Sequence, residues 1–446
     1  MTTDLQNDEQ QLLTEIFPLG TKRDDRGVLL LGNTPVDQLI AKHGSPLYVF
    51  DEATIRAQCR SYTKPLNNLY PNSLTLYAAK AHIDPTIVGI AAAEGLGMDA
   101  VSSGEILVGL TGGMPAERIV MHGNNKLPSE IEYALDTGIS RIVADSLDEI
   151  DLIADIAAHR ETPANLILRI TPGVEAHTHD YIRTGAVDSK FGLPLASGDA
   201  EIAIEKCLRA PWLKPIGLHS HIGSQIFELA PYADSVEILL DFAEDMHHKH
   251  GFVLGDFSPG GGFGIRYEES DDPPAAAAFV QTIAEAVNSR NRKPLPRLLI
   301  EPGRSIIARA GVALYSVGTI KTIPGVRTYV SVDGGIADNI RPALYEATYR
   351  ALLANRETKD SPIRVTIAGR YCESGDVLLR EIELPPLSRG DILAIPASGA
   401  YHMSMASNYN MVGRPATVLV CDGAATLTRQ RETDEDLLRV FGAAPL

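Results

Sequence analysis

The 446-residue chain is predicted to be an α/β protein: a (β/α)8 TIM-like barrel joined to a mostly-β C-terminal domain (a barrel or a sandwich) that also takes N-terminal strands. Three observations predict this fold. Eight short β-rich runs alternate with segments of helical apolar spacing. Polar residues and glycines gather where these runs end. After Arg304 the alternation stops, and strand patterns separated by turns dominate.

The predicted barrel strands are short β-rich runs that lie between about Ser73 and Arg304. They are centred near Tyr77, Met98, Val120, Val143, Leu168, Leu218, Phe257 and Leu299. Helical apolar spacing is found between several of them, at Pro85–Leu96, Pro128–Leu135, Leu147–His159 and Ala233–His248. Eight strands with intervening helices favour a closed barrel over an open sheet.

The C-terminal region is predicted to be a β domain with one helical exception at Ala343–Asn355. Its predicted strands are Gly311–Ile323, Arg327–Val332, Ile363–Ala368, Val377–Leu384, Asp391–Ile395 and Ala416–Val420. Early strands near Val28–Leu31 and Leu47–Phe50 precede the eight barrel units, so we expect them to join this domain. The predicted domains are therefore an N-terminal segment of the β domain at 1–48, the barrel at 49–309 and the β domain at 310–446.

Composition excludes several classes of protein. The formal charge of -17 argues against nucleic acid or an anionic membrane as a partner, because both require a basic surface. The four cysteines form no CxxC pair, so we expect neither a metal site nor a disulfide framework. No signal peptide or membrane-spanning run is seen, and a cytoplasmic protein is expected.

The ends of the predicted barrel strands carry polar residues and glycines. These are Lys80, Asp99, His122, Asp145, Arg169, His221, Gly260–Gly262 and Glu301-Pro-Gly-Arg304. In a (β/α)8 barrel this rim holds the active site. Polar residues also begin wherever a strand finishes, but eight such ends that include a lysine, two histidines and two arginines favour a site.

Lys80 follows the first barrel strand and is predicted to point into the barrel mouth. We expect apolar neighbours to enclose it, so that its pKa falls and its amine can form a Schiff base. Taken alone, it is better explained as a lysine that extends from a strand end into solvent. The rest of the rim favours the catalytic interpretation.

Two loops on neighbouring strands favour a phosphate site. Ser258–Gly264 is rich in glycine, and Glu301-Pro-Gly-Arg304 adds a glycine and a guanidinium. A phosphate pocket opposite a buried lysine indicates pyridoxal 5'-phosphate. Glu301 can then pair with the pyridine nitrogen, His221 can stack on the ring and Ser224 can reach the phosphate.

Five motifs in this order resemble the fold-type III pyridoxal-phosphate decarboxylases over about Gly27 to Gly442. They are Tyr77-x-x-Lys80, Asp99-Ala-Val-Ser-Ser-Gly-Glu105, His221-Ile-Gly-Ser224, Gly260-Gly-Gly262 and Glu301-Pro-Gly-Arg304. The resemblance implies that Lys80 holds the cofactor covalently, with His221 on its ring and Glu301 at its nitrogen. It places Ser224, Gly260, Gly261, Gly262, Gly303 and Arg304 around the phosphate, and Asp99, Glu105 and Arg169 in a supporting polar shell.

Six further motifs resemble the diaminopimelate decarboxylase branch of this family. They are Asp333-Gly-Gly335, Asp338–Tyr345, His177-Thr-His179, Asp188–Gly192, Gly399-Ala-Tyr401 and Ala406–Asn410. Cys372-Glu-Ser-Gly-Asp376 resembles the motif whose cysteine protonates the product carbon. The branch implies a homodimer with Cys372 and Glu373 across the interface, and Tyr401 at both cofactor and substrate. Ala79, His82 and Arg370-Tyr371 depart from the usual pattern, which leaves the substrate range open.

The predicted reaction is decarboxylation of meso-2,6-diaminopimelate to L-lysine and CO2. Arg341 can bind the distal carboxylate with two hydrogen bonds, assisted by Tyr345, and Glu373 can take the distal ammonium. Arg304 can serve either the phosphate or a substrate carboxylate, and an ion pair between domains would also explain Arg341 and Glu373. Alternatives are sibling decarboxylases of ornithine, arginine, D-lysine or carboxynorspermidine, a racemase, or a non-catalytic cofactor-binding regulator.

Overall fold

The computed structural model describes residues 2–174, 189–290 and 294–442. The predicted motif His177-Thr-His179 and residue Asp188 lie outside these ranges. The chain forms two compact units. The β unit comprises Met1–Ile55, Ile265–Asp272 and Ile306–Leu446, and the barrel unit comprises Arg56–Gly264 and Pro273–Ser305. The predicted ranges 1–48, 49–309 and 310–446 cut the chain at slightly different points and remain a prediction about domain boundaries.

The strands of the described residues are numbered in chain order. They are β1 (Lys22–Arg23), β2 (Leu29–Leu31), β3 (Thr34–Pro35), β4 (Leu47–Asp51), β5 (Ser73–Ala78), β6 (Gly97–Ala100), β7 (Ile119–Met121), β8 (Arg141–Ala144), β9 (Ala164–Thr171), β10 (Leu193–Pro194) and β11 (Leu213–His219). They continue with β12 (Asp256–Ser258), β13 (Arg297–Ile300), β14 (Gly311–Ile323), β15 (Arg327–Val332), β16 (Leu352–Leu353), β17 (Ile363–Ala368), β18 (Val377–Leu384), β19 (Ile392–Ile395), β20 (Ala416–Cys421) and β21 (Ala424–Arg429).

The helices follow in the same order. They are α1 (Thr2–Glu15), α2 (Val36–His43), α3 (Glu52–Leu69), α4 (Pro85–Ala93), α5 (Ser103–Thr111), α6 (Pro128–Thr137), α7 (Leu147–His159), α8 (Asp199–Arg209), α9 (Ala230–His250), α10 (Ala276–Asn288), α11 (Arg304–Ile307), α12 (Arg341–Tyr345) and α13 (Asp434–Leu438). Within the described ranges, no helix is long and apolar enough to cross a membrane.

The barrel unit is a closed ring of eight parallel strands, and all eight predicted strands are confirmed. Their order is β5, β6, β7, β8, β9, β11, β12 and β13. Pairing of β8 with β9 and of β13 with β5 closes the ring. Leu76, Val120, Val143, Ile167 and Leu299 form one buried apolar cluster in this unit. Side chains from five strands thus pack together as one core layer, as expected for a filled barrel.

Short polar side chains start several barrel helices immediately after the strand ends. Asp84, Ser102 and Ser146 each accept a hydrogen bond from a backbone N–H three residues later, at the starts of α4, α5 and α7. Such caps satisfy amide groups that have no partner inside the helix. The chain therefore turns from strand to helix within a few residues, and the strand-end residues lie in short loops at the barrel rim.

The β unit contains a large mixed sheet. One strand of this sheet comes from the N-terminal part of the chain, which confirms the expectation that early strands join the β domain. Strand β4 lies between β14, to which it is antiparallel, and β20, to which it is parallel. Strand β2 forms a small sheet with β1 and β3, and the Leu29 N–H donates to the Ala354 carbonyl at 2.8 Å. The predicted early strands therefore both lie in the β unit.

The helix predicted over Ala343–Asn355 is wrong. Only α12 is helical, and the backbone turns at Glu346, where φ is +53°. Leu352–Leu353 then pairs as β16 with β19. The residues have good helix propensity, but the Tyr349 hydroxyl is bonded by Arg341 and His402 in the interior. These tertiary contacts outweigh the local preference, which is only a few tenths of a kcal/mol per residue, roughly.

Candidate active site

Lys80 lies in a tight turn directly after β5. The Tyr77 hydroxyl donates to the His82 carbonyl at 2.5 Å, which closes the turn around Lys80. The buried His82 ring lies 3.4 Å from Asp84, the residue that caps α4. Lys80 itself is exposed, so the prediction that apolar neighbours enclose it is wrong. Its backbone is held firmly, while its side chain can reach toward the rim.

A second lysine in the barrel, Lys126, provides a contrast. Its fully buried ammonium donates to the Gly123 and Val143 carbonyls, both at 2.6 Å, and to Glu149 at 3.0 Å. Burial lowers the pKa of Lys126, and the nearby Glu149 opposes that shift. Three N–H donors with three protein acceptors make this lysine structural. Lys80 is therefore the better candidate for an amine that reacts with a cofactor.

Glu301, at the end of β13, is the central carboxylate of the rim. One oxygen lies 3.0 Å from His219 Nε2, and the other accepts from the Ser258 hydroxyl at 2.7 Å. His122 Nε2 lies 3.8 Å from the same carboxylate. Burial alone would raise the pKa of Glu301, but His219 and His122 lower it, and the net pKa lies well below the usual value. The rim thus holds a buried negative charge.

Asp99 and His122 extend this network. Their closest atoms are 3.8 Å apart, and both side chains are buried. Burial raises the pKa of Asp99, the charge of Lys80 opposes the shift and Glu301 adds to it. Burial also holds the pKa of His122 well below its usual value. The charge of Lys80 therefore acts on the Asp99 carboxyl, and the supporting polar shell remains a prediction.

The glycine-rich loop holds the His221 ring in one orientation. The Gly261 N–H donates to His221 Nδ1 at 3.3 Å. Burial, reinforced by the charges of Lys80 and Arg169, lowers the pKa of His221 well below normal. A neutral ring that accepts at Nδ1 carries its proton on Nε2. The ring is thus fixed in tautomer and in direction.

The glycines themselves are required by close backbone packing. A Cβ at Gly261 would lie 1.9 Å from the Glu301 carbonyl oxygen, and one at Gly262 would lie 2.0 Å from that of Gly223. A Cβ at Gly303 would lie 2.9 Å from Ala78. The Gly260 N–H donates to Ser258 Oγ, so part of this backbone is engaged within the protein. Phosphate binding by Gly260, Gly261, Gly262 and Gly303 remains a prediction.

Arg304 and Ser224, which are both predicted to bind the phosphate, lie together. Arg304 Nη2 donates to Ser224 Oγ at 3.0 Å, and the arginine is 7% exposed. A guanidinium and a hydroxyl at the junction of three glycine-bearing loops can bind an oxyanion. The loops of β11, β12 and β13 therefore converge on one polar corner of the barrel unit.

Arg169 and Glu105 have structural partners in the barrel. Arg169 lies 3.7 Å from Asp145 and packs over the Phe191 ring at 4.4 Å. Asp145 also accepts from the Gly192 N–H at 3.0 Å, which ties the described part of the 188–192 motif to the rim. Glu105 accepts from the Val101 N–H at 2.6 Å. Both residues support the rim's backbone as well as its charge.

In the β unit, one buried carboxylate joins two of the predicted motifs. Asp376 accepts from the Ile336 N–H at 2.7 Å and from the Tyr371 N–H at 2.8 Å. A Cβ at Gly335 or Gly369 would lie 2.3 or 2.2 Å from its oxygens, so both positions need glycine. Asp376 thereby holds the Asp333-Gly-Gly335 segment against the loop that carries Cys372.

Cys372 and Glu373 are exposed on this loop. The Cys372 N–H donates to Asn410 at 2.9 Å, and the Tyr409 hydroxyl lies 3.5 Å from the Cys372 carbonyl. Glu373 accepts from the Gly375 N–H at 3.3 Å. The backbone is thus fixed by the Ala406–Asn410 motif, while the thiol and the carboxylate face outward.

Arg341 is buried in the β unit beside aromatic residues. Its Nη1 donates to Tyr267 at 2.8 Å and to Tyr349 at 2.7 Å. Burial alone would lower the pKa of Arg341, but the two tyrosines raise it overall. Tyr401 has a left-handed backbone with φ +61°. It also helps to raise the pKa of Arg341. Tyr345 is half-buried at the end of α12.

Sequence reasoning missed His219, Ser258, Tyr267 and Tyr349 as site residues. His219 and Ser258 are the last residues of β11 and β12, so their strand-end position was a usable signal. Tyr267 lies in a short segment between barrel elements that packs in the β unit. Nothing local in the sequence pairs Tyr267 with Arg341, because 74 residues separate them. Tyr349 is only eight residues from Arg341, but the helix predicted over Ala343–Asn355 does not show the turn that brings the two together.

Two clusters of histidine and carboxylate side chains among the described residues have the spacing of metal ligands. They are His122–His219–Glu301 and Glu201–Glu205–His250. Glu301 is bonded to His219 and Ser258, while Lys249 and Arg209 pair with Glu201 and Glu205. Internal contacts account for both clusters, and the expected absence of a metal remains a prediction.

The barrel rim fits pyridoxal phosphate. Three buried polar atoms of the rim have no hydrogen-bond partner among the described residues: Asp99 Oδ1, His122 Nε2 and His219 Nδ1. Buried polar atoms are normally hydrogen-bonded, so these atoms could bond to a polar ring bound at the rim. Glu301 supplies a buried anion for a ring nitrogen, Lys80 an amine, and Arg304 with Ser224 an oxyanion corner. Fold and rim together define a pyridoxal-phosphate enzyme built on a (β/α)8 barrel.

Comparisons with known proteins agree with this class. Residues 52–308 match the family model of the pyridoxal-dependent decarboxylase, pyridoxal binding domain. Diaminopimelate decarboxylase of Bacillus subtilis is 45% identical over 95% of this chain and 98% of that protein. The chain belongs to the pyridoxal-dependent decarboxylases, in their diaminopimelate decarboxylase branch.

Solved structures show the same relationship. Diaminopimelate decarboxylase of M. jannaschii in complex with L-lysine has a TM-score of 0.90 and 34% identity, over 95% of this chain and 98% of that one. A lysine/ornithine decarboxylase of Vibrio vulnificus complexed with putrescine has a TM-score of 0.74 and 25% identity, over 87% and 97%. The predicted fold of barrel plus β domain is confirmed by these likenesses.

Proposed function

We propose that this chain decarboxylates meso-2,6-diaminopimelate to L-lysine and CO2, the last step of lysine biosynthesis, with pyridoxal phosphate as its cofactor. The observation that carries the proposal is 45% identity to a diaminopimelate decarboxylase over 95% of the chain. That match spans the barrel rim and also the β-unit motifs, which hold the residues for substrate choice.

In this reaction the barrel residues bind and orient the cofactor. When bound, pyridoxal phosphate supplies an electron-accepting ring that stabilises the carbanion left as CO2 departs. Lys80 Nζ is the amine that would hold the cofactor. Glu301 would pair with the ring nitrogen, and His221 would cover the ring. Ser224, Gly260–Gly262, Gly303 and Arg304 would surround the phosphate, and Asp99 would add a buried acid near Lys80.

The β-unit residues handle the proton and the far end of the substrate. Cys372 Sγ donates a proton to the carbon that lost its carboxylate. Arg341 holds the distal carboxylate with Tyr345, Tyr401 assists at both cofactor and substrate, and Glu373 takes the distal ammonium. Arg304 has two candidate ligands, the phosphate and a substrate carboxylate, and its bond to Ser224 favours the phosphate.

The buried Arg341 discriminates against sibling reactions. Ornithine, arginine and lysine lack a second amino-acid end, so as substrates they would leave this guanidinium without a carboxylate. CO2 release from a panel of these amino acids, D-lysine, carboxynorspermidine and diaminopimelate tests the assignment. We expect diaminopimelate to be preferred, and a preference for ornithine would contradict it. No CO2 from any substrate would favour the cofactor-binding regulator, and loss of stereochemistry without CO2 would favour the racemase.

A substitution at Arg341 tests the same point. Arg341→Lys keeps the charge but loses the two-bond geometry. We expect kcat/KM toward diaminopimelate to fall by about 10²-fold or more, because a buried charge is left poorly paired. Background activity toward ornithine should not fall. An equal loss on both substrates would mean that Arg341 supports the fold and does not select the substrate.

We further propose a cytoplasmic homodimer in which Cys372 and Glu373 of one chain complete the site of the other. Support comes from their exposure and from exposed apolar residues near the same loop. Tyr409 is 40% exposed and Met411 51%, and Met411 lines a groove of about 470 Å³ with Val440 and Phe441. The groove is also lined by charged residues such as Arg414 and Glu432, and exposed apolar side chains rimmed by polar ones mark interaction surfaces.

Mixing two inactive chains tests the shared site. Lys80→Ala and Glu373→Ala chains should each be nearly inactive alone. After mixing, we expect about a quarter of the wild-type activity, because half of randomly formed dimers are hybrids with one intact site each. No recovery despite proven hybrid formation would contradict the shared site, and a monomer by light scattering would contradict the dimer.

A further inference from the structure

A chain of buried hydrogen bonds connects Arg341 to a carboxylate in the β unit. Arg341 Nη1 donates to the Tyr349 hydroxyl at 2.7 Å, and that hydroxyl lies 2.9 Å from His402 Nε2. His402 Nδ1 lies 3.3 Å from the Tyr48 hydroxyl, which donates to Asp338 Oδ2 at 3.0 Å. All five side chains are buried. We call this series the Arg341–Asp338 chain.

The two ends of the Arg341–Asp338 chain have defined donor and acceptor roles. A guanidinium only donates, so the Tyr349 oxygen accepts from Arg341. The Tyr48 hydroxyl donates to Asp338 at the other end. His402 bridges the two tyrosines, with one ring nitrogen near each hydroxyl. The Arg341–Asp338 chain therefore links a buried cation to a carboxylate.

The carboxylate end is held by a second tyrosine. The Tyr315 hydroxyl also donates to Asp338 Oδ2, and the Gly335 N–H donates to the other oxygen at 2.8 Å. Burial raises the pKa of Asp338 to about 6, and these hydrogen bonds oppose the shift. With two tyrosine hydroxyls and a backbone N–H donating to it, the Asp338 carboxylate can terminate the Arg341–Asp338 chain.

The contacts at Arg341 restrict which edge of the guanidinium can bind a ligand. Both hydrogens of Nη1 are directed at tyrosines, since Tyr267 accepts the second at 2.8 Å. The guanidinium carbon also lies 5.1 and 5.8 Å from the Tyr267 and Tyr349 ring centres. Two parallel bonds to a carboxylate then require the Nη2–Nε edge.

We infer that Tyr349 and His402 are positioning residues for substrate recognition, which fix Arg341 so that its Nη2–Nε edge binds the distal carboxylate. The inference rests on the proposed function, which assigns that carboxylate to Arg341. A guanidinium held in advance loses less entropy when the ligand binds. The Arg341–Asp338 chain therefore contributes to the affinity for the distal amino-acid end of the substrate. It does not contribute to the bond-breaking step.

Tyr349→Phe tests the inference because it removes one hydroxyl and keeps the ring. In the holoenzyme we expect KM for diaminopimelate to rise about 10-fold, the scale of a hydrogen bond to a charged group. The value of kcat should stay within about 3-fold of wild type, since the reacting end is unaffected. The cofactor's absorbance should be unchanged.

Binding of two small amines gives a readout that is independent of turnover. L-lysine retains the carboxylate that Arg341 would hold, whereas cadaverine has none. Measured by calorimetry, the Kd of L-lysine should be about 10-fold higher for Tyr349→Phe than for the wild type. The Kd of cadaverine should be unchanged. Equal weakening of both amines would reduce Tyr349 to a structural role and overturn the inference.

Matched variants separate positioning from general damage. The Gln side chain of His402→Gln can still place an acceptor at the Nε2 position, whereas the shorter side chain of His402→Asn cannot. We therefore expect KM for diaminopimelate to rise in His402→Asn and to stay near the wild-type value in His402→Gln. Tyr329→Phe is the control, because Arg327 stacks on and bonds that tyrosine at the surface in a similar way. We expect it to match wild type.

Two negative outcomes have different meanings. If the wild type decarboxylates diaminopimelate but Tyr349→Phe leaves both KM and the L-lysine Kd unchanged, the positioning role is overturned and the proposed function stands. If the wild type releases no CO2 from diaminopimelate, the proposed function fails and this inference fails with it.

Discussion

The barrel rim and the Cys372 loop hold their functional groups in opposite ways. In the rim, the Glu301 carboxylate is buried and bonded by His219 and Ser258 through side chains. In the loop, Cys372 and Glu373 are exposed, and the backbone is fixed by Asn410 and Asp376. The first region fixes side-chain charges, whereas the second fixes a backbone and presents its side chains.

This difference matches the two kinds of catalytic task that we propose for these residues. A charge that tunes a bound group acts most strongly where water is excluded, so burial suits Glu301. A group that forms or breaks bonds with the reactants must reach them, so exposure suits Cys372. Lys80 lies in the barrel but is exposed like Cys372. The comparison therefore divides residues by task and not by unit.

The largest effect is expected from comparing the two barrel lysines. Lys80→Ala should remove the covalent adduct that borohydride fixes between protein and cofactor, and activity should fall to background. Lys126→Ala should keep the adduct in folded molecules but lower stability by several kcal/mol, roughly, because Glu149 loses its buried partner. Mass spectrometry of the reduced peptide and thermal unfolding measure the two effects.

This lysine comparison has a clear contrary outcome. An adduct on Lys126, or one that survives in Lys80→Ala, would mean that exposure does not identify the reactive lysine. A wild-type protein that stays colourless after reconstitution with cofactor would contradict the use of pyridoxal phosphate.

The next effect is expected at the exposed thiol. Cys372→Ala should lower kcat by roughly 10²-fold or more, the usual scale of a general acid, with cofactor absorbance nearly unchanged. Cys421→Ala is the control, because Cys421 is also exposed in the β unit. Equal activity of both variants would remove Cys372 from the proton-transfer step.

The sequence predicted the barrel well because its information is local. The strands could be located from alternating apolar runs and from turns, and the structure confirms all eight. Long-range contacts were not predictable in this way. The bond between His219 and Glu301 joins residues 82 positions apart, and the one between Arg341 and Tyr267 joins residues 74 apart. Lys80 was predicted to be enclosed, but exposure depends on neighbours that are not adjacent in sequence.

The smallest effect concerns the buried imidazoles of the rim. Burial lowers the pKa of His122, so its folded form stays neutral where the unfolded form already binds a proton. Its contribution to stability is present above the unfolded pKa of about 6.5 and is lost as pH falls below it. Asp99 acts in the opposite sense, because burial raises its pKa and its folded form takes up a proton first. Only a difference between variants isolates His122.

His122→Gln keeps a polar side chain but removes this titration. Between pH 6.5 and pH 5.5, the free energy of unfolding of the wild type should fall by about 1 kcal/mol more than that of the variant. Urea denaturation at the two pH values gives this double difference. His248→Gln, an exposed position on α9, is the matched control and should follow the wild type. A variant whose stability falls as steeply as that of the wild type would show that His122 is not held neutral, and the rim would then tolerate charge more like the exposed Cys372 loop.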